Sequence, residues 1–121
     1  MKILLVDDDT FTRRYFKQFL NCYHEVIAAR DGVQALDILD ENTDFDVILL
    51  SVEMDKLSGW EVYKAIEMFH PNVAPNVIFW GPGSEKISST GAMLLEKPVD
   101  PSQLLDVLPL LVEEEWLDEY L

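Results

Sequence analysis

Three stretches of this chain carry side chains able to do chemistry. Asp7, Asp8 and Asp9 stand in a row behind the apolar run Ile3-Leu4-Leu5-Val6. Ser51 stands directly behind Val47-Ile48-Leu49-Leu50. Lys97 follows a third apolar stretch, from Ala92 to Leu95, and precedes Pro98. Carboxylates packed together repel one another, and a hard cation such as Mg²⁺, or a lysine, relieves that repulsion. Acids, one hydroxyl and one lysine therefore point to a polar site that handles charge. Aspartates that merely cap a helix account for one of the three well, through the helix dipole, but less well for three in a row.

These residues can meet only if the elements bearing them converge. An apolar run with no polar alternation reads as a strand buried on both faces, as at the centre of a parallel sheet. In open parallel sheets, ligands sit beyond the carboxyl ends of the strands, where the acids, Ser51 and Lys97 all fall. Strand and helix patterns alternate along the chain, which predicts β-α-β units with right-handed crossovers and an α/β fold.

Taken in order, Lys2 to Val6 reads as a strand. Thr10 or Asp9 can cap a helix whose inner face is Phe11, Tyr15, Phe16, Phe19 and Leu20. His24 to Ala29 is a second strand, and Asp31-Gly32 a turn. Val33, Ala35, Leu36 and Leu39 line a second helix. Val47 to Leu50 is the central strand. Gly59 opens a third helix with Val62, Tyr63, Ile66 and Phe69 inward. Pro71 and Pro75 bracket a loop, and Val77 to Trp80 is a fourth strand. Gly81-Pro82-Gly83-Ser84 is a poor helix start and favours an irregular loop through Thr90. Ala92 to Leu95 is a fifth strand. Asp100-Pro101 opens a last helix carrying Leu104, Leu105, Val107, Leu108 and Leu111. Pro109 kinks or interrupts it. Val112, Trp116, Leu117 and Tyr120 then share a helical stripe among Glu113, Glu114, Glu115, Asp118 and Glu119. The organisation expected is one domain over 1–121, with a helical extension after about residue 109.

The 121 residues suffice for one core. Nine basic against 23 acidic residues, a net charge of −14, argue against nucleic acid and anionic membranes as partners. A protein partner or self-association remains. Cys22 is the sole cysteine, so an internal disulfide is excluded; it is expected as a buried or half-buried filler. The run Ile3 to Val6 is too short for a signal peptide or a membrane span, and a cytoplasmic location is the expectation.

The same motifs resemble the receiver domain of two-component response regulators, of the single-domain chemotaxis type, over nearly the whole chain. Ile3-Leu4-Leu5-Val6-Asp7-Asp8 matches the family's first strand and acid pair. Asp31-Gly32-Val33-Gln34-Ala35-Leu36 matches its second helix entry. Asp46 to Leu50 followed by Gly59 matches its third strand and loop. Gly91-Ala92 and Glu96-Lys97-Pro98 match its lysine–proline segment. The resemblance implies a flavodoxin-like, doubly wound five-stranded parallel sheet in the order 2-1-3-4-5. It also implies an aspartate phosphoacceptor at the end of the third strand, served by Mg²⁺ on the acid pair and by the lysine.

At that acceptor position this chain has Ser51, whose hydroxyl would need a base to act as a nucleophile. Loss of the carboxylate also removes an anionic metal ligand, which Glu53 replaces only in part. The loop's Met-Pro is Met54-Asp55. The family's switch hydroxyl falls at Gly81, and its aromatic switch at Leu94. The segment Gly81 to Gly91 is too short for a full fourth helix, which is expected shortened or lost. These departures predict a pseudo-receiver: a module acting by protein–protein interaction, independent of phosphorylation and not an enzyme. Its pocket would keep Asp7, Asp8 and Lys97. It would need no cofactor, with Mg²⁺ at most weakly held through Asp8 and Glu53. Its contact surface is expected at Met93, Leu95, Trp116, Leu117 and Tyr120, unless the tail covers the gap left by the fourth helix.

A haloacid-dehalogenase-like phosphatase would use Asp7, Asp9, Ser51 and Lys97. Against it, Phe11 stands where that motif takes Thr or Val, and no later strand ends in paired acids. A flavin site would need a phosphate cradle after the first strand, which three aspartates would repel. A conventional phosphorylated receiver is the remaining alternative.

Overall fold

The computed structural model describes residues 1–96, 102, 104–106 and 108. Five parallel strands make one sheet: β1 (Lys2–Val6), β2 (Glu25–Ala29), β3 (Val47–Ser51), β4 (Val77–Trp80) and β5 (Met93–Leu95), in the order β2-β1-β3-β4-β5. Between them run α1 (Thr10–Leu20), α2 (Gly32–Glu41), α3 (Gly59–Phe69) and a four-residue α4 (Glu85–Ser88). Described residues 102, 104–106 and 108 are helical. Among the described residues, no helix is long and apolar enough to cross a membrane.

Alternation of side chains along a strand sends neighbours to opposite faces, and both faces are covered. Leu4, Val6, Ile48, Leu50 and Phe79 join Ala35, Leu39, Val62 and Ile66 on the side of α2 and α3. Ile3, Leu5, Val47, Leu49, Ile78 and Trp80 join Phe16, Leu20, Leu104 and Leu108 on the other. Every residue of β3 is buried. Each such aliphatic side chain contributes about 1.5–3 kcal/mol through burial, so this strand anchors both layers.

The strands follow the expected apolar runs to within a residue or so, but several helical faces do not. Phe11 is 78% exposed, and Tyr15 is also exposed, so only Phe16 and Leu20 of the five expected residues are fully buried on α1. An α-helix has room for one inward stripe, and Phe16 with Leu20 occupies it. Val33 and Phe69 are likewise exposed at the ends of their helices. Cys22 is exposed rather than buried, because α1 ends at Leu20 and Cys22 lies in the turn beyond. Asp31 is not in a free turn: it caps α2, its carboxylate accepting from the Gln34 N–H. The fourth helix is shortened as expected, but the segment is not wholly irregular, since Ser84 caps it by accepting from the Ile87 N–H.

Candidate functional site

Parallel pairing of β1 and β3 sets Val6 beside Leu50, so Asp7 and Ser51 emerge side by side at the carboxyl edge of the sheet. Both are buried. Asp8 is partly buried and Asp9 exposed. The acids divide their work. Asp7 Oδ1 accepts from the Asp9 N–H at 2.9 Å, and the Asp7 carbonyl accepts from Arg13 Nη1 at 2.8 Å. Asp9 caps α1, its carboxylate accepting from the Thr12 N–H at 2.9 Å and from the Thr12 hydroxyl. Asp8 Oδ2 accepts from the Asp55 N–H at 2.9 Å. The structure thus brings Asp7, Asp8 and Ser51 to one edge; Lys97 lies outside the described residues.

Ser51 donates its hydroxyl to the Glu53 carbonyl at 3.2 Å. The backbone continues the sheet past it, with the Val52 N–H donating to the Trp80 carbonyl at 2.9 Å. The loop returns through Gly59, whose N–H donates to the Val52 carbonyl at 2.9 Å. A Cβ on Gly59 would lie 2.3 Å from the Ser51 carbonyl oxygen, so this approach requires glycine. Ser58 then caps α3 reciprocally with Glu61, a Ser-x-x-Glu signal present in the sequence.

The resemblance implies Mg²⁺ at this edge, and the donors present fit it poorly. One Asp7 oxygen and one Asp8 oxygen already accept backbone N–H groups. Ser51 offers a neutral hydroxyl in place of an anion, and Glu53 is exposed. Among the described residues, no group of three or more His, Cys, Asp or Glu is placed to hold a metal ion.

Gly81 and Leu94 flank the site on the β4–β5 side. Gly81 has φ +140°, and a Cβ there would lie 3.1 Å from Val52 Cβ. A side chain at this position is therefore both strained and crowded. Leu94 is partly buried against the core on the α2–α3 side. Of the expected contact surface, Met93 is exposed and Leu95 partly buried. Trp116, Leu117 and Tyr120 lie outside the described residues.

A second cluster beside the site escaped the sequence reading. Asp8, Thr10, Arg13, Arg30, Asp31, Asp55 and Lys56 line one cleft, with three cations and three carboxylates. Asp31 sits 3.7 Å from Lys56 Nζ and 3.8 Å from Arg30 Nε. Its carboxyl is held below the ordinary range, first by the Gln34 N–H and then by these two cations, against the opposing effect of burial. The Asp31-x-x-Gln34 cap pattern was the available signal; the pairing with Lys56 spans two loops and leaves none.

The family model described as the response regulator receiver domain matches residues 3–109. The chain is 37% identical over 110 residues to the transcriptional regulatory protein CpxR of Escherichia coli (strain K12), covering 86% of this chain and 46% of that protein. It is 35% identical over 68 residues to the chemotaxis protein CheY1 of Helicobacter pylori, covering 54% of this chain and 55% of that one. The chain thus spans about half the length of the curated relatives it matches. Among solved structures, a CheY-like receiver domain protein from Methanospirillum hungatei JF-1 superposes with a TM-score of 0.84 at 26% identity, covering 97% of each chain. The Vibrio cholerae chemotaxis protein CheY4 does so with a TM-score of 0.80 at 30% identity, covering 91% of this chain and 97% of that one. With the strand order above and a match running from residue 3 to residue 109, the chain belongs to the response regulator receiver domain family.

Proposed function

We propose that this receiver domain transmits signals by protein–protein contact without being phosphorylated, and that it has no enzymatic activity. The observation carrying this reading is Ser51: buried at the end of β3, and a neutral hydroxyl that donates to the Glu53 carbonyl. Asp7 and Asp9, the acids a phosphatase would use, are engaged with local backbone, and Asp9 serves as a helix cap. Gly81 and Leu94 support the same reading. Glycine offers no hydroxyl to follow a phosphoryl group, and leucine has no polar tip.

The contact face we assign is the edge of β5. This strand pairs only with β4 among the described strands, and Met93 is exposed on it. The short α4 leaves that side less covered than a full helix would. The test is incubation with acetyl phosphate and Mg²⁺ followed by intact mass. The expected result is an unchanged mass. A hydroxylamine-labile phosphoryl adduct overturns the reading and makes the domain a conventional phosphorelay receiver.

A further inference from the structure

The short α4 leaves a cleft open between α3 and β5, at the amino edge of the sheet and away from Asp7 and Ser51. Its single turn lies beside the start of α3, where Lys86 Nζ is 4.8 Å from the ring centroid of Trp60. Further along α3, Tyr63 and Glu67 face the loops that lead into β4 and β5 across a cleft of about 480 Å³. Pro71 and Pro75 from the first loop and Thr90 and Ala92 from the second line the rest of it. Sites for small molecules fall in the same range, roughly 300–1,000 Å³, and carry a few polar groups on a mainly apolar lining.

Two of the polar groups here belong to α3. Tyr63 is only 7% exposed, its ring packed 5.4 Å from that of Phe79, so what it offers the cleft is its hydroxyl end. Among the described residues that hydroxyl has no hydrogen-bond partner. Burial first, and then the Glu67 carboxylate, push its ionisation up against the opposing effect of Lys64, so the phenol stays protonated at neutral pH. Glu67 is the one charged residue on the lining among the described residues. It accepts from Lys64 Nζ at 3.1 Å, an exposed pair one turn apart that contributes little. The same ammonium lies 5.6 Å from the Trp60 ring centroid, so it keeps a partner when Glu67 turns to a ligand.

A neutral phenol with an unused lone pair, a carboxylate beside it and apolar walls together suit a cation with an apolar body. An anion would meet Glu67, in a chain whose net charge is already −14. We propose that the cleft binds a small apolar ammonium compound, a primary amine in its protonated form carrying an aryl or alkyl body. Its N–H groups donate to Tyr63 Oη and the Glu67 carboxylate, and its body lies against Pro71, Pro75 and Ala92. The site depends neither on the state of Ser51 nor on contact at the β5 edge.

The probe is phenethylammonium, titrated into the full chain while backbone amide signals are followed by NMR. It should shift the Thr90, Gly91 and Ala92 amides saturably, with a dissociation constant of about 1 mM or tighter, which a fragment of that size reaches. Phenylpropionate, a similar body with the opposite charge, should not saturate. Glu67→Gln, at an exposed position, should weaken the cation roughly fivefold and leave the binding of neutral phenethyl alcohol unchanged. Tyr63→Phe keeps the ring in the core and should also weaken the cation roughly fivefold. Absence of saturation by phenethylammonium overturns the proposal. So does equal binding of phenylpropionate, which would make the cleft merely apolar, or cation binding left unchanged by either variant. Saturable shifts confined to Asp8, Glu53 and Asp55 would put the cation at the acidic edge of the sheet and overturn it as well.

Discussion

The Asp55 backbone N–H donates to the Asp8 carboxylate at 2.9 Å, joining two loops 47 positions apart in the chain. A hydrogen bond to a charged acceptor contributes about 1.5–3 kcal/mol, toward the lower end where water reaches it. A cation arriving at Asp8 must compete for or share that oxygen. Titration with Mg²⁺ followed by tryptophan fluorescence is therefore expected to show no saturation up to roughly millimolar concentration, given the reluctance of Mg²⁺ to shed water. Saturation far below that range would mean that Glu53 completes a metal site.

Ser51→Asp should weaken the fold rather than restore a switch. It places a carboxylate at a buried position adjoining buried Asp7. Desolvation and like-charge repulsion should lower the unfolding free energy by about 1–3 kcal/mol. Added Mg²⁺ should recover part of that loss in the variant and leave the parent unchanged. Acetyl phosphate should not alter amide exchange in β5 of the variant, because Gly81 and Leu94 provide no responding side chain; a protection change there would contradict this.

Gly59→Ala should be costly despite the small size of the change. The new methyl would lie 2.3 Å from a backbone oxygen that belongs to the sheet edge. Overpacking against backbone should destabilise by about 3 kcal/mol. Urea unfolding checks this: the midpoint should fall with the slope unchanged.

Asp31 should show in the acid limb of the stability profile. Its folded carboxyl lies below its ordinary value of 3.8. The unfolded state therefore binds its proton first, so Asp31's contribution is complete above that ordinary value and is lost as pH falls through the folded one. Asp31→Asn keeps a capping side chain but removes the titration and the attraction to Arg30 and Lys56. The parent should be the more stable at neutral pH, and the two acid unfolding curves should converge at low pH. A gap that persists in acid would show that charge is not what Asp31 contributes.

Much of this architecture was legible because strands buried on both faces must be written almost wholly in apolar residues, as in Val47 to Leu50. The helical faces were harder. In α1, Phe11, Tyr15, Phe16 and Phe19 are all large aromatics, and their spacing does not say that Phe16 packs against Trp80, at 4.4 Å between ring centroids, and Phe19 against the same cluster, while Phe11 and Tyr15 stay exposed. Asp31 read as a turn because Asp-Gly pairs serve both turns and caps. Ser51 was found from its place at a strand end. The Lys56–Asp31 and Asp8–Asp55 ties were not, since they depend on how two loops fold over each other.

The strand order has a consequence for how the chain is made. Each new strand joins an edge already present: β2 on one side of β1, then β3, β4 and β5 in turn on the other. No strand has to be threaded between two that are already paired. Assembly can thus keep pace with a ribosome delivering the chain from its N-terminus. The three-residue β5, whose register is set by Ile78, Phe79 and Trp80, joins last. Until it does, β4 as well as β2 is an open edge of the sheet, and an open edge can pair with another chain; once β5 is in place, its own three-residue edge takes over from the longer, wholly buried β4.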